Sequence, residues 1–227
     1  MNKIIIDKEN NIDIKNNVIE LDIQVNELTI NIEGKVLLNE INTKDNEELD
    51  LTINLLPNSE LIYNRFIIYK NMNNKITINQ DNNSSMRFNY SLIANEKCKL
   101  DFDSFLKGNN NQSEIYVRAV TQNDGSVTIK QTADTYPKIE NNNLIESIKV
   151  LLLNNEESVV IPNLLVSSNE IEVNHAATLS PIDKDYLFYL NSKGISNEKA
   201  EELIKEGFLL SNLDITSEQR NTIKELI

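Results

Sequence analysis

The chain has 227 residues and a formal net charge of −13, with 40% hydrophobic residues, one cysteine and one histidine. The acidic charge argues against nucleic acid and anionic membranes as partners, because basic groups supply most of the affinity for both. A single cysteine excludes an intrachain disulfide, and no apolar run approaches the roughly 18–20 residues that span a bilayer. We therefore expect a soluble, cytoplasmic protein made of one elongated domain, or one domain with a helical appendage.

The first part of the chain alternates between apolar and polar residues. Residues 18–25, 49–55 and 75–79 are examples, with Ile, Leu or Val on one face and Asp, Thr, Asn or Glu on the other. Such alternation predicts half-buried strands. Clusters rich in Asn and Asp separate these runs and predict turns, because both residues tolerate the left-handed conformation. Asn is also frequent elsewhere in the chain, so we attach no functional meaning to it.

Several all-β architectures fit these strands. Only Asp124-Gly125 has the form of a tight two-residue hairpin turn, and no helical segment suited to βαβ crossovers separates the strands. Both observations favour a β-helix, whereas the lack of a clean repeat period argues against a regular one. The residues themselves therefore predict an all-β body and leave a sandwich and a β-helix open.

Helix signals begin after residue 179. Ser180 is a candidate N-cap with Pro181 at the first helical position, and Gly194 is a candidate left-handed residue after the helix. Ser196 marks a second helix start, and Thr216 with a Gln three residues later marks a third. We expect one apolar stripe of these helices to cover the end of the β-body: Leu187, Leu190, Leu203, Ile204 and Phe208.

Two residues could carry metal chemistry. His175 lies close in sequence to Glu170 and Glu172, and a neutral imidazole is a common metal ligand. The alternative is a histidine that only fills the end of a sheet. Cys98 lies between two lysines, which could lower its pKa and favour the thiolate. The alternative there is an inert, half-buried thiol.

Signatures of other chemistries are missing from the sequence. There is no Gly-x-Ser-x-Gly elbow and no GxxxxGK[ST] phosphate loop, so we expect the chain not to be an enzyme. A β-helix that cleaves polysaccharides with paired carboxylates is an alternative. Such enzymes are usually exported, and we expect no signal peptide in this chain because Asp7 and Lys8 interrupt the first apolar run.

Five short segments between residues 162 and 208 carry a family resemblance. They are Pro-Asn-Leu at 162–164, Val-Asn-His-Ala-Ala-Thr at 173–178, Phe-Tyr-Leu at 188–190, Gly-Ile at 194–195 and Gly-Phe at 207–208. Together they resemble the C-terminal signature of the SufB/SufD family, the scaffold subunits of the SUF iron–sulfur cluster assembly machinery. Ala176 stands where SufB sequences tend to have an acidic residue, so the segment is more similar to SufD.

The resemblance implies a fold and a set of partners. The expected fold is a right-handed parallel β-helix at residues 1–178, followed by a small α-helical domain at residues 179–227. The β-helix would pair with a SufB-like subunit or with a second copy of this chain. The helices would bind a SufC-type ABC ATPase. The expected cofactor is a transient iron–sulfur cluster shared with a partner subunit and not bound stably by this chain alone.

The resemblance also assigns residues to these roles. His175, Glu172 and Thr178 are predicted at the cluster-assembly and subunit interface, with His175 as a metal ligand. Cys98 is a second candidate metal ligand on the ground of its flanking lysines alone. Cys98 does not align with the functional cysteine of SufB. The alternative function is a structural β-solenoid module that takes no part in cluster chemistry. The predicted ATPase-docking residues are Tyr186, Phe188, Tyr189, Gly194, Ile195 and Phe208.

Overall fold

The computed structural model describes residues 2–168 and 170–227, and within them strands precede helices. The strands are β1 (Asn2–Ile6), β2 (Asn11–Ile23), β3 (Glu27–Leu55), β4 (Glu60–Gln80), β5 (Ser85–Ala94), β6 (Lys97–Leu106), β7 (Gln112–Thr121), β8 (Ser126–Thr135), β9 (Asn142–Leu152), β10 (Val159–Val166) and β11 (Ile171–Pro181). The helices are α1 (Lys184–Ser192), α2 (Asn197–Leu210) and α3 (Ser217–Leu226).

The strands stack in parallel along two walls. In the first wall, the strands from β4 onward are neighbours in the order β4, β5, β7, β9 and β11. In the second wall, the order is β4, β6, β8 and β10. The long strands β3 and β4 each run through both walls. This is the architecture of a parallel β-helix, or solenoid, as predicted. A sandwich, which the residue pattern had left open, would need antiparallel pairs.

The length of each coil explains why the sequence shows no clean period. Register partners are 25 residues apart from β3 to β4 and from β4 to β5. The step rises to 27 residues from β5 to β7 and to 31 from β7 to β9. The coils become longer mainly because their turns become longer. Inward-facing residues therefore stack from coil to coil in space, but the number of residues between them along the chain changes.

One corner of the solenoid is built from asparagines in the left-handed conformation. Asn58, Asn83, Asn110 and Asn141 have φ values of 63°, 57°, 58° and 56°. Each side chain donates to the one before it, over 3.3, 3.0 and 3.2 Å. Among non-glycine residues, Asn adopts this conformation with the least strain. The Asn-rich turns therefore have a structural role.

Asp124-Gly125 is not the hairpin turn that its sequence suggests. It connects β7 to β8, which lie in different walls and stack on different neighbours. A Cβ atom at Gly125 would lie 2.0 Å from the backbone oxygen of Ala94 in the previous coil. The glycine is needed because the next coil approaches so closely.

The solenoid interior is mainly apolar, and its middle coils hold an ionic network. Arg65 is fully buried and bonds to Glu40 over 2.8 Å and to Glu47 over 3.1 Å. The hydroxyls of Tyr63 and Tyr69 donate to Glu40 and Glu47 over 2.6 and 2.8 Å. Hydrogen bonds from several donors offset the cost of burying these carboxylates.

The helices cover the side of the solenoid, not its end as predicted. Leu209, Leu210, Leu213 and Ile223 are buried in a second apolar cluster, with outward-facing residues of the first wall such as Phe66. Ile204 and Phe208 are half-buried against the same cluster, whereas Leu203 is exposed. The wall presents apolar residues on its outer face as well as its inner face, so the helices pack laterally.

The helix signals were right except at the first helix. Ser180 and Pro181 belong to β11, whose pairing with β9 continues to Pro181, and Asp183 is the N-cap. Gly194 is left-handed at φ 83°, Ser196 caps α2, and Thr216 forms the predicted capping box of α3. No helix in the described part of the chain is long and apolar enough to cross a membrane.

Candidate functional site

His175 lies on the last strand of the first wall. Ile171, Val173 and His175 alternate toward the interior of the solenoid, while Glu172 and Asn174 face outward. β11 pairs with β9 on one edge, and no strand pairs with its other edge within residues 2–168 and 170–227. His175 is therefore an inward-facing residue of the terminal coil, with a side chain that is still 13% exposed.

Glu146 on β9 is the register partner of His175. Its side chain is completely buried, and its Oε2 lies 3.2 Å from Nδ1 of His175. Burial raises the pKa of Glu146 to about 7 and lowers that of His175. The pair therefore tends toward its uncharged forms at neutral pH, unless a cation enters between them.

Sequence reasoning missed Glu146, although a signal was present. In β9 the inward positions are Leu144, Glu146 and Ile148. A carboxylate therefore occupies an inward position where the alternation calls for an apolar residue. The inward ladder that leads to it consists of Leu38, Tyr63, Phe88 and Ile115 on the preceding strands. A charged residue at an inward, otherwise apolar position of a strand indicates a functional residue or a charge that is paired in the interior.

The structure does not bring the other predicted interface and metal residues to His175. Glu172 and Thr178 are exposed on β11, and Glu172 faces away from the interior. Within the described residues, no group of three or more His, Cys, Asp or Glu side chains could hold a metal ion.

Of the two alternatives for Cys98, the structure shows the inert thiol. The thiol is buried on β6, stacked between Met72 and Val127 in the second wall. Burial raises its pKa to about 12, and Sγ contacts the backbone oxygen of Lys70 at 3.7 Å. The flanking lysines point outward, so they do not stabilise the thiolate. Cys98 is a core residue, several coils away from His175.

The predicted docking residues of α1 are unusually exposed for aromatic side chains. Tyr186, Phe188 and Tyr189 are 65%, 76% and 59% exposed, and α1 has no buried residue. Gly194 is exposed, and Ile195 and Phe208 are half-buried. Tyr186 and Tyr189 lie one turn apart on α1 and Phe188 lies on a different face. Exposed aromatic side chains of this kind are common in protein-binding sites.

A second exposed apolar surface lies at the open end of the solenoid. Among the residues that the structure describes, β10 pairs with β8 alone, and its residues Ile161, Leu164, Leu165 and Val166 are 43%, 38%, 54% and 45% exposed. A long apolar edge strand is a template for pairing with another chain.

The comparisons with known proteins concern the part of the chain that contains these features. The family model for the core domain of SufBD proteins, of the SUF system of FeS cluster assembly, matches residues 65–208. The chain belongs to the SufBD family. The matched range includes Glu146, His175 and the exposed aromatics of α1, and it ends within α2.

Two curated relatives have the same assignment. An iron–sulfur cluster assembly SufBD family protein of Methanothermobacter thermautotrophicus is 28% identical over 137 residues, which cover 59% of this chain and 32% of the relative. One from Staphylococcus aureus strain USA300 is 33% identical over 104 residues, covering 45% of this chain and 22% of the relative. The chain thus matches a third or less of the length of either relative.

Proposed function

We propose that this chain is a non-catalytic scaffold subunit of an iron–sulfur cluster assembly complex. In this proposal it pairs through the open end of the solenoid, binds a SufC-type ABC ATPase through its helices, and shares a transient cluster with a partner subunit. The observation that carries the proposal is the match to the SufBD core domain, which includes both the terminal coils and the first helices. The SufD-like character and the cytoplasmic location stay predictions.

The exposed aromatic side chains of α1 support the ATPase contact. Tyr186 and Phe188 expose most of their surface to solvent, at a cost that packing against a partner would remove. Aromatic side chains are enriched at the centres of protein interfaces. The chain carries no phosphate loop of its own, so the nucleotide chemistry of such a complex would belong to the partner.

Co-purification with the SufC-type ATPase of the same organism tests this contact. We expect a stable complex on gel filtration, lost when both Tyr186 and Phe188 are changed to Ala. Tyr136→Ala is the matched control, because Tyr136 is 43% exposed in the turn after β8, away from the helices. Separate elution of the wild-type chain and the ATPase at micromolar concentration, in all nucleotide states, would contradict the proposal.

The edge of β10 supports subunit pairing. Its backbone hydrogen-bonding groups and apolar side chains are free on one side, and a facing strand from another subunit would satisfy both. We expect Leu165→Lys to shift the mass measured by light scattering from a pair to a single subunit. Val18→Lys is the control, since Val18 is similarly exposed at the other end of the solenoid. Equal masses for wild type and Leu165→Lys would refute pairing through this edge.

A further inference from the structure

Glu146 is a buried carboxylate without a basic partner. Among the described residues no Lys or Arg forms an ion pair with it, and His175 is its only charged-type contact. The residues before it in the inward ladder, Phe88 and Ile115, are apolar. A leucine at this position would continue the core at no electrostatic cost, so the carboxylate is retained against stability.

The contact with His175 is close but is not a hydrogen bond. Oε2 of Glu146 and Nδ1 of His175 are 3.2 Å apart. Within the described part of the chain, both carboxylate oxygens of Glu146 and Nε2 of His175 are buried and make no hydrogen bond of good geometry. The two side chains thus approach each other without the N–H pointing at the oxygen. The buried amide of Gln131 lies beside Glu146 and partly offsets the rise in the carboxyl pKa that burial causes.

The separation matches that of two ligands on one metal ion. Nitrogen and oxygen ligands lie about 2.0–2.2 Å from a divalent ion such as zinc, which puts two adjacent ligand atoms about 3.0–3.4 Å apart. One imidazole and one carboxylate also belong to the ligand set of non-haem iron(II) sites. The 3.2 Å approach of Nδ1 and Oε2 falls within this range.

We propose that Glu146 and His175 together bind a divalent metal ion at the open end of the solenoid, with Glu146 as a second protein ligand beside His175. β11 is the last strand of its wall in the described part of the chain, and we assign the remaining coordination positions to water or to a ligand from a facing subunit. The inference rests on the proposed function in one respect, the identity of the metal, which in cluster assembly is Fe(II).

Titration of the purified chain with Co(II) tests the site, since Co(II) reports its ligands by visible absorption. Equilibrium dialysis with Fe(II) under anaerobic conditions measures the same site with the expected metal. We expect Glu146→Gln and His175→Ala each to weaken binding by at least about tenfold. Glu172→Gln, which removes a carboxylate from the outward face of β11, the strand of His175, leaves binding unchanged.

Two further measurements keep the outcome interpretable. Glu146→Asp keeps the carboxylate but withdraws it by one methylene, and we expect intermediate affinity; thermal unfolding by circular dichroism shows that each variant is folded. Wild-type affinity in Glu146→Gln overturns the proposal, as does a Co(II) spectrum that His175→Ala does not change.

The metal site and the proposed scaffold function can fail separately. Glu146 and His175 lie in the solenoid interior, so their variants should keep the ATPase complex. A chain that docks the ATPase but binds Co(II) equally well in Glu146→Gln refutes only the metal site. A chain that loses the ion in Glu146→Gln but never binds the ATPase refutes only the docking.

Discussion

Buried carboxylates lie at two places in the described interior of the solenoid, and the two places differ in the partners that they give these carboxylates. In the middle coils, Glu40 and Glu47 share Arg65, and both also accept hydrogen bonds from tyrosines. In the terminal coil, Glu146 has a poorly aligned approach from His175 and the neutral amide of Gln131 beside it, and no basic residue forms an ion pair with it in the described part of the chain. A buried charge is costly unless it is paired and hydrogen-bonded. The first place is therefore organised for stability, and the second keeps an unpaired acid at the expense of stability.

The largest expected effect is that of Arg65→Ala. It leaves the buried Glu40 without a cation and Glu47 with only Lys44 at 3.4 Å, so we expect the free energy of unfolding to fall by about 3–5 kcal/mol. Urea denaturation at neutral pH measures this. The control is Arg87→Ala, since Arg87 pairs with Glu114 over 2.8 Å at the surface and should cost less than about 1 kcal/mol. Equal losses in the two variants would show that the middle network is not a special feature.

Tyr63→Phe should have the next largest effect. It removes a 2.6 Å hydrogen bond to the buried carboxylate of Glu40 and leaves the ring packing intact. A hydrogen bond to a charged group contributes about 1.5–3 kcal/mol, so we expect a loss of that size in urea denaturation. Tyr116→Phe, which removes a 3.3 Å bond to Glu114 at a more exposed position, is the matched comparison and should cost less.

Glu146→Gln should have the opposite sign. A neutral amide is cheaper to bury than an unpaired carboxylate, so we expect a gain of about 1–3 kcal/mol at pH 8. The same variant is expected to lose the metal, so stability and binding should move in opposite directions. Glu172→Gln, at the exposed face, should change neither. A destabilised Glu146→Gln would place Glu146 with the structural carboxylates of the middle coils.

The smallest expected effect concerns the pH dependence of stability, which the carboxylates of the middle network help to set. Burial by itself would raise the pKa of Glu47, but Arg65 and hydrogen bonds from Asn74 and Tyr69 outweigh it, and the pKa lies below its ordinary value. Glu47 therefore stabilises the fold above its unfolded-state pKa, and this contribution is lost as the pH falls through the folded-state pKa. We expect the unfolding free energy of Glu47→Gln to depend less steeply on pH between 6 and 3 (about the range in which carboxylates titrate).

Local patterns predicted most of the elements correctly. Period-two alternation identified the strands, and Ser196, Thr216 and Gly194 marked helix ends, because capping depends on a few adjacent residues. Ser180 is the exception, since its backbone pairs with β9 and this pairing overrides the local helix signal. The choice of a β-helix over a sandwich came from the resemblance between residues 162 and 208, since alternation alone does not say which strands are neighbours.

The sequence by itself determined where most strands, turns and helices form, and it marked His175 as the residue of interest. Only the tertiary structure decided that Glu146 is the neighbour of His175, that Cys98 is a core residue and that the helices cover the side of the solenoid. The reason is that each of these depends on register between coils 25 to 31 residues apart. That register is set by the cumulative length of turns and by stacking across coils, neither of which is written in any short stretch of residues.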